Sequence, residues 1–281
     1  MKPAVQAEAV KRAADALVAE VEAGHSARLK AYLATMARFH HYSLGNVLLI
    51  GMQCPQATHV AGFRAWQRLG RSVRKGERGI RIMAPIIRRT TTDEEEQERV
   101  VAFKHVSVFD VSQTDGKPLP QLGRVAGDPG EFVHRLRTLI AEHGIALENA
   151  DLSISADGWS AGGRIGIRTG LSPAEEFSVL VHEFAHELLH NTGKRWLANR
   201  TVRETEAEAV AFVVCEAIGL ETNQAASDYI QLYDGNRDTL LSSLDRILRT
   251  ARVMIDGLME AKARGPARGE PLALVVKRPA A

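Results

Sequence analysis

Cysteine is almost absent from this chain: Cys54 and Cys215 are the only two in 281 residues. Two thiols so far apart make no disulfide framework. Both are expected to pack as small apolar side chains, and a reducing cytosol is the expected compartment. Long hydrophobic runs are missing as well. No stretch of about 18 residues is apolar throughout, which excludes a membrane-spanning helix and makes a membrane partner unexpected. Residues 1–24 are charged along their length and lack the apolar segment of a signal peptide, so a cytoplasmic location is expected. Charge of one sign is also lacking. Lys and Arg number 36 against 34 Asp and Glu, a net of +2, so only the distribution of charge can point to a polyanion. Glycine and proline, at 23 and 10, are too few for a low-complexity chain. The length favours two domains over one and is ample for a buried core.

What is present begins with helical patterning. Val5, Ala9, Ala13, Leu17 and Val21 recur at three- and four-residue spacing, and Leu29, Tyr32, Leu33 and Met36 continue it after Gly24. A third, more buried helix is expected from Ser43 to Met52, and a break at Cys54–Thr58. Val60–Arg71 reads as one short helix carrying Phe63 and Trp66. Strands are expected over Ile80–Ile87 and Val100–Val111, with the acidic run Asp93–Glu98 as an exposed hairpin tip. Pro85 marks a bulge or an edge position. The Gly-, Pro- and Asp-rich stretch Gln113–Pro129 reads as the boundary between halves. Beyond it, helices are expected over Gly130–His143, Pro173–His190, Val202–Ile218, Asn223–Tyr233 and Asp238–Met259. Short strands are expected at Leu152–Ala156 and Arg164–Arg168. Ser172-Pro173-Ala174-Glu175 is a capping box that starts a helix.

That capped helix carries His182-Glu183-Phe184-Ala185-His186, an HExxH pattern. Histidines at i and i+4 share one helix face, so both imidazoles can bind one metal ion. Zinc suits them, and a catalytic zinc lowers the pKa of a bound water to about 7. Glu183 is then placed to take the proton. Chance gives roughly 0.03 such matches in a chain of this composition. A third ligand is sought downstream, where Glu204 and Glu208 are four apart on one face. Glu204 is assigned to the metal and Glu208 to a hydrogen bond from a ligand histidine, with the reverse order left open by spacing alone. Glu206 points about 200° away from Glu204 and is excluded from that task. A rival register, His186-Glu187-Leu188-Leu189-His190, sits at the helix end, where a metal would be held poorly. The bland alternatives are a solvated charged helix and a bound but catalytically silent zinc.

Charge is concentrated in the first half. From Arg64 to Arg89 nine basic residues face one acid, Glu77. Such a patch is the footprint of a polyanion. Gly70, Gly76 and Gly79 would let a backbone approach phosphates. Phe63 and Trp66 lie beside it, with Phe39 and Tyr42 upstream, and aromatics with a cationic groove suit single strands. Phe63, Arg64, Trp66, Arg71, Arg74, Lys75 and Arg78 are the candidate DNA-binding residues. The competing reading makes the aromatics core and the arginines a solvated rim.

Four stretches carry a family resemblance: Tyr42–Ile50 (YSLGNVLLI), Ala57–Trp66 (ATHVAGFRAW), Gly70–Ile80 (GRSVRKGERGI) and Val108–Thr114 (VFDVSQT). Through them residues 10 to 120 resemble the N-terminal domain of ArdC-type antirestriction proteins. The resemblance implies single-stranded DNA binding and a role in establishing plasmids or mobile elements against host restriction. Residues 130 to 260 resemble the zincin-type metallopeptidase domain that follows in that family, and are similar to ImmA/IrrE-type peptidases. This implies an α+β fold of two domains. Residues 1–125 would be a helical and β-hairpin DNA-binding domain, 126–260 a zincin-like domain, and 261–281 a mobile basic tail. His182, Glu183 and His186 carry over directly, and Glu204-x-x-x-Glu208 resembles the Glu-x-x-x-Asp or Glu-x-x-x-Asn of related zincins, which implies Glu204 on the metal; the Glu in the last place departs from that pattern and leaves the order of the two open. The Arg164–Arg168 strand is expected to offer a free edge to a peptide.

Two functions follow from this reading. The first is a zinc metallopeptidase held on single-stranded DNA, hydrolysing a peptide bond in an unidentified protein nearby. The second is a non-catalytic protein that shields single strands and holds zinc structurally. A nuclease is disfavoured, because the carboxylate-rich two-metal pattern is missing.

Overall fold

The structure is a computed structural model that describes residues 3–23, 26–92, 95–117, 127–150, 157–190, 200–220 and 237–260. Three helices open the chain: α1 (Pro3–Glu22), α2 (Ser26–Arg38) and α3 (Leu44–Gln53). The apolar spacing sets their buried faces, with Ala13, Leu17, Val21, Leu29, Leu33 and Met36 all inside. Ser43 caps α3 by accepting from the Asn46 backbone N–H at 3.4 Å.

Beyond Cys54 the chain turns to strands. Val60–Arg71 is not one helix. Val60–Gly62 forms β1, paired antiparallel with the end of a long strand, and only Phe63–Arg68 is helical (α4). β2 (Arg71–Val73) pairs with β5 (Thr114–Gly116), so the start of the expected boundary region belongs to the first half. β3 (Ile80–Thr92) and β4 (Glu95–Asp110) form a hairpin, and the sheet order is β1-β4-β3. The acidic run is therefore not just a tip, since Glu95–Glu98 pairs with Arg89–Thr92. The three β-branched threonines at 90–92 favour extension there. Pro85 lies on the edge strand, and the ladder shifts register between Ile86 and Ile87, beside it.

Helix α3 covers that edge with two amide side chains. Asn46 Oδ1 accepts from Met83 N and its Nδ2 donates to Met83 O, both at 2.9 Å. Gln53 treats Arg81 in the same way, also at 2.9 Å. Each amide stands in for a neighbouring strand. Asn46 is buried, so an Asn46→Ala change is expected to cost about 2–3 kcal/mol by stranding the Met83 backbone groups; urea denaturation measures it.

The second half has α5 (Glu131–Glu142), β6 (Ala146–Ala150), β7 (Gly158–Ser160), β8 (Arg164–Arg168), α6 (Pro173–His190), α7 (Arg200–Ile218) and α8 (Arg237–Glu260). Strand order is β6-β8-β7, with β6 parallel and β7 antiparallel to β8. β8 is thus central and both its edges are covered, which overturns the free-edge expectation for Arg164–Arg168. The expected strand at Leu152–Ala156, the expected helix Asn223–Tyr233 and the tail 261–281 lie outside the described residues, as does the expected division at 125/126.

Helix α2 packs on α7, and one buried cluster runs from Leu17 and Leu33 through Phe177, Phe184 and Val213 to Met254. The fold is mixed α/β. Cys215 is fully buried, and burial pushes its thiol up to about 12; Cys54 is half-buried. No helix among the described residues is long and apolar enough to cross a membrane.

Candidate metal centre

The phase of α6 is fixed at its first turn. Ser172 N and Oγ both donate to Glu175 Oε2, at 2.9 and 2.6 Å, and Glu175 N donates back to Ser172 Oγ at 3.4 Å. Phe177, Leu180, Val181, Phe184 and Ala185 then point into the core. This leaves His182 and His186 side by side at the surface of the core, with ring centroids 4.7 Å apart.

Helix α7 packs along α6 and brings Glu204 to the pair. His182 Nε2 and His186 Nε2 lie 3.1 Å apart. Glu204 Oε2 is 3.2 Å from His186 Nε2 and 3.5 Å from His182 Nε2. These separations are close to the ~3.3 Å edge of a tetrahedron with arms of ~2 Å, so the donor set fits a divalent ion such as zinc. Burial, helped by the neighbouring His182, lowers the His186 pKa to about 4. Hydrogen bonding from His182 leads the lowering of Glu204 to about 2. Neutral imidazole and ionised carboxylate are the forms a metal needs. The Glu204 side chain is 50% exposed, so the site opens to solvent on that side.

Glu183 is buried against β7, close enough to His182 and Glu204 to feel their charges. Burial raises its pKa, while the His182 charge and a hydrogen bond from Ser160 oppose the rise. β7 approaches this closely because Gly158 has no side chain: a Cβ there would fall 2.6 Å from Val179 Cγ1 and 2.9 Å from Glu183 Cγ. Ser160 and Gly158 escaped the sequence reading, in which β7 went unrecognised.

The rival register is committed elsewhere. Glu187 Oε2 accepts from Gly163 N at 2.8 Å. His190 is buried, with Nε2 3.6 Å from Glu206 Oε2. Glu206 is 1% exposed and accepts from Ser243 Oγ at 2.6 Å and from Arg246 Nη2. It is an anchor of α7 on α8, a role that its turn away from Glu204 allows. Glu208 does not fill its expected place: among the described residues no hydrogen bond joins it to His182 or His186.

The candidate DNA residues divide. Phe63 is 49% exposed, and Arg64, Arg74, Lys75 and Arg78 are exposed. Trp66 is not available for stacking, being 1% exposed with Nε1 donating to Phe109 O at 2.8 Å. Phe39 is also core. Arg71 holds β5, donating to Thr114 Oγ1 and to the backbone oxygens of Thr114, Gly116 and Lys117. Arg74 pairs with Glu77 and donates to Ser112 O. Phe103, Val101 and Val100 on β4 and Ile86 on β3 are exposed apolar residues that sequence reading assigned to strands without seeing them uncovered.

Comparison with known proteins agrees with this architecture. An uncharacterized protein of Bacillus anthracis is 26% identical, with 76% of this chain and 44% of the relative covered, so the chain spans less than half of that relative's length. The crystal structure of the antirestriction ArdC protein from plasmid R388, metal-free, superposes with a TM-score of 0.54 at 17% identity, covering 89% of this chain and 98% of that one. The Mn(II)-bound structure of the same protein gives 0.52 at 16% identity, covering 89% and 97%. Residues 7–109 match the N-terminal domain of anti-restriction factor ArdC, and in fold the chain as a whole is similar to the ArdC protein.

Proposed function

We propose that this chain is an antirestriction-related protein that binds single-stranded DNA through its first half and holds a divalent metal ion, zinc by donor type, on His182, His186 and Glu204. The observation that supports the metal is the convergence of three donor atoms within 3.5 Å from two different helices. That an ArdC protein has been solved both metal-free and with Mn(II) supports an exchangeable ion. On this reading the protein shields incoming strands by binding them, and no bond is broken. The exposed Arg64, Lys75 and Arg78, none of them in an ion pair among the described residues, would contact phosphates, and Phe63 would stack on a base. Arg64→Ala/Lys75→Ala/Arg78→Ala is expected to weaken binding to oligothymidylate. It should also flatten the slope of log affinity against log salt by about 2, at ~0.7 per phosphate contact. Fluorescence anisotropy at several salt concentrations measures this; an unchanged slope places the strand elsewhere.

A second reading, hydrolysis of a peptide bond in a protein near the DNA, draws on one observation. Glu183 adjoins His182 in sequence, sits on the buried side of the site and has a raised pKa. A bound divalent ion would supply Lewis-acid chemistry. Glu183 would hold and pass the proton at its carboxylate, with the Ser160 hydroxyl orienting it. Glu183→Gln is then expected to keep metal and DNA binding and lose at least about 100-fold in cleavage. Mass spectrometry of a host protein extract incubated with each form tests it. Protection of DNA by Glu183→Gln at the wild-type level supports the shielding reading instead.

A further inference from the structure

A second cluster of ligand-type side chains lies well away from the HExxH helix in sequence, where the turn between α2 and α3 meets α8. His40 Nε2 is 3.6 Å from Asp256 Oδ1, and His41 Nδ1 is 3.7 Å from the same oxygen. The two imidazole rings lie 4.1 Å apart, and the three donor atoms fall within 4.8 Å of one another. Both contacts to Asp256 are longer than a hydrogen bond. The tautomer of His40 is fixed by a contact on its far side, because Nδ1 lies 3.0 Å from the Ala37 carbonyl oxygen and a carbonyl only accepts. In its neutral form the ring then turns its Nε2 lone pair toward a carboxylate oxygen. Two acceptors face each other across a gap that a cation would fill. An Nδ1–H held by a backbone carbonyl is also how metal-binding histidines are commonly oriented.

The surroundings leave Asp256 Oδ1 available. Arg252 Nε, one turn earlier on α8, reaches the other oxygen, Oδ2, at 3.4 Å. The His41 side chain is 64% exposed and Asp256 33%, whereas His40 is 15%. The site is thus anchored by one half-buried imidazole and open to solvent on the other side.

We propose that His40, His41 and Asp256 form a second divalent-metal site, of zinc-type donor chemistry, that clips the α2–α3 turn to α8. Two imidazoles and one carboxylate leave a position for water, and a filled site would tie the DNA-binding half to the helix that anchors Glu206. The inference does not rest on the metal centre at His182, His186 and Glu204, and each site has its own variants.

Zinc uptake by the full chain, measured by equilibrium dialysis at micromolar metal, tests the proposal. His182→Ala/His186→Ala is expected to bind one equivalent and to gain thermal stability from it. Adding His41→Ala, at an exposed position, should remove both the equivalent and the Tm gain. Asp256→Asn should do the same and guards against a folding defect of the histidine variant, with circular dichroism as the control. Zinc uptake unchanged by His41→Ala and by Asp256→Asn would overturn the site, as would no uptake by His182→Ala/His186→Ala. Loss of uptake only in variants with native circular dichroism establishes it.

Discussion

Asp110→Ala is expected to lower stability by about 4 kcal/mol, and the melting temperature by roughly 10 °C. The side chain is 1% exposed and is filled with backbone donors. Its Oδ1 accepts from Thr58 N at 2.8 Å and His59 N at 3.0 Å, and its Oδ2 accepts from Ser112 N at 2.9 Å. Alanine would take the one buried acceptor from three backbone N–H groups, each loss worth about 1–3 kcal/mol. The same carboxylate joins the Cys54–His59 loop to the end of β4, next to the Trp66 contact with Phe109 O. Burial is the largest influence on its pKa and pushes it up, but the hydrogen bonds from Ser112, Thr58 and His59 outweigh it and the net shift is downward. A carboxylate with a depressed folded value stabilises fully above its unfolded value of about 3.9. That stabilisation is lost as pH falls through the lower folded value. Asp110→Asn should therefore be less stable than wild type at neutral pH, with the difference shrinking in acid. Thermal melts across this range measure it.

His186→Ala is expected to weaken metal binding at the HExxH site by more than about 100-fold, exceeding the effect typical of a residue that only orients a ligand. His182→Ala and Glu204→Gln should do the same, because each supplies one of three donors lying within 3.5 Å of one another. Glu208→Gln separates this arrangement from the reverse order of the two glutamates. It should change affinity less than twofold, since Glu208 makes no hydrogen bond to either histidine among the described residues. A competition titration with a chromophoric chelator reads all four variants.

Local chemistry made the centre legible. The Ser172–Glu175 capping box set the start of α6, and Pro173–His190 matches the sequence expectation. Once the helix was placed, i and i+4 spacing put the histidines together. Glu204 over Glu208 needed the packing of α7 on α6, which no local pattern contains. Trp66 looked like a base-stacking residue from its basic neighbours, yet burial decided against it because α4 is one short turn lying on β4. β6 and β7 escaped notice because AlaLeuGluAsnAla and GlyTrpSer have little β propensity; they are held by pairing to β8. Parts of the stretches that carry the family resemblance prove structural. Ser43 caps α3, Asn46 covers the edge of β3, and Asp110 and Gln113 form a capping box around the turn at Val111. The two caps are local, three residues apart, whereas Asn46 meets Met83 across 37 residues, so the sequence displays Asn46 but not its partner.

The most direct test of the metal centre is the position of the ion. Crystals of the full chain grown with zinc, measured at the zinc absorption edge, should show an anomalous peak about 2.0–2.2 Å from His182 Nε2, His186 Nε2 and a Glu204 oxygen. A peak bound instead by His186 and His190, or by Glu208 in place of Glu204, would contradict the account, and so would density at these three donors without any anomalous signal.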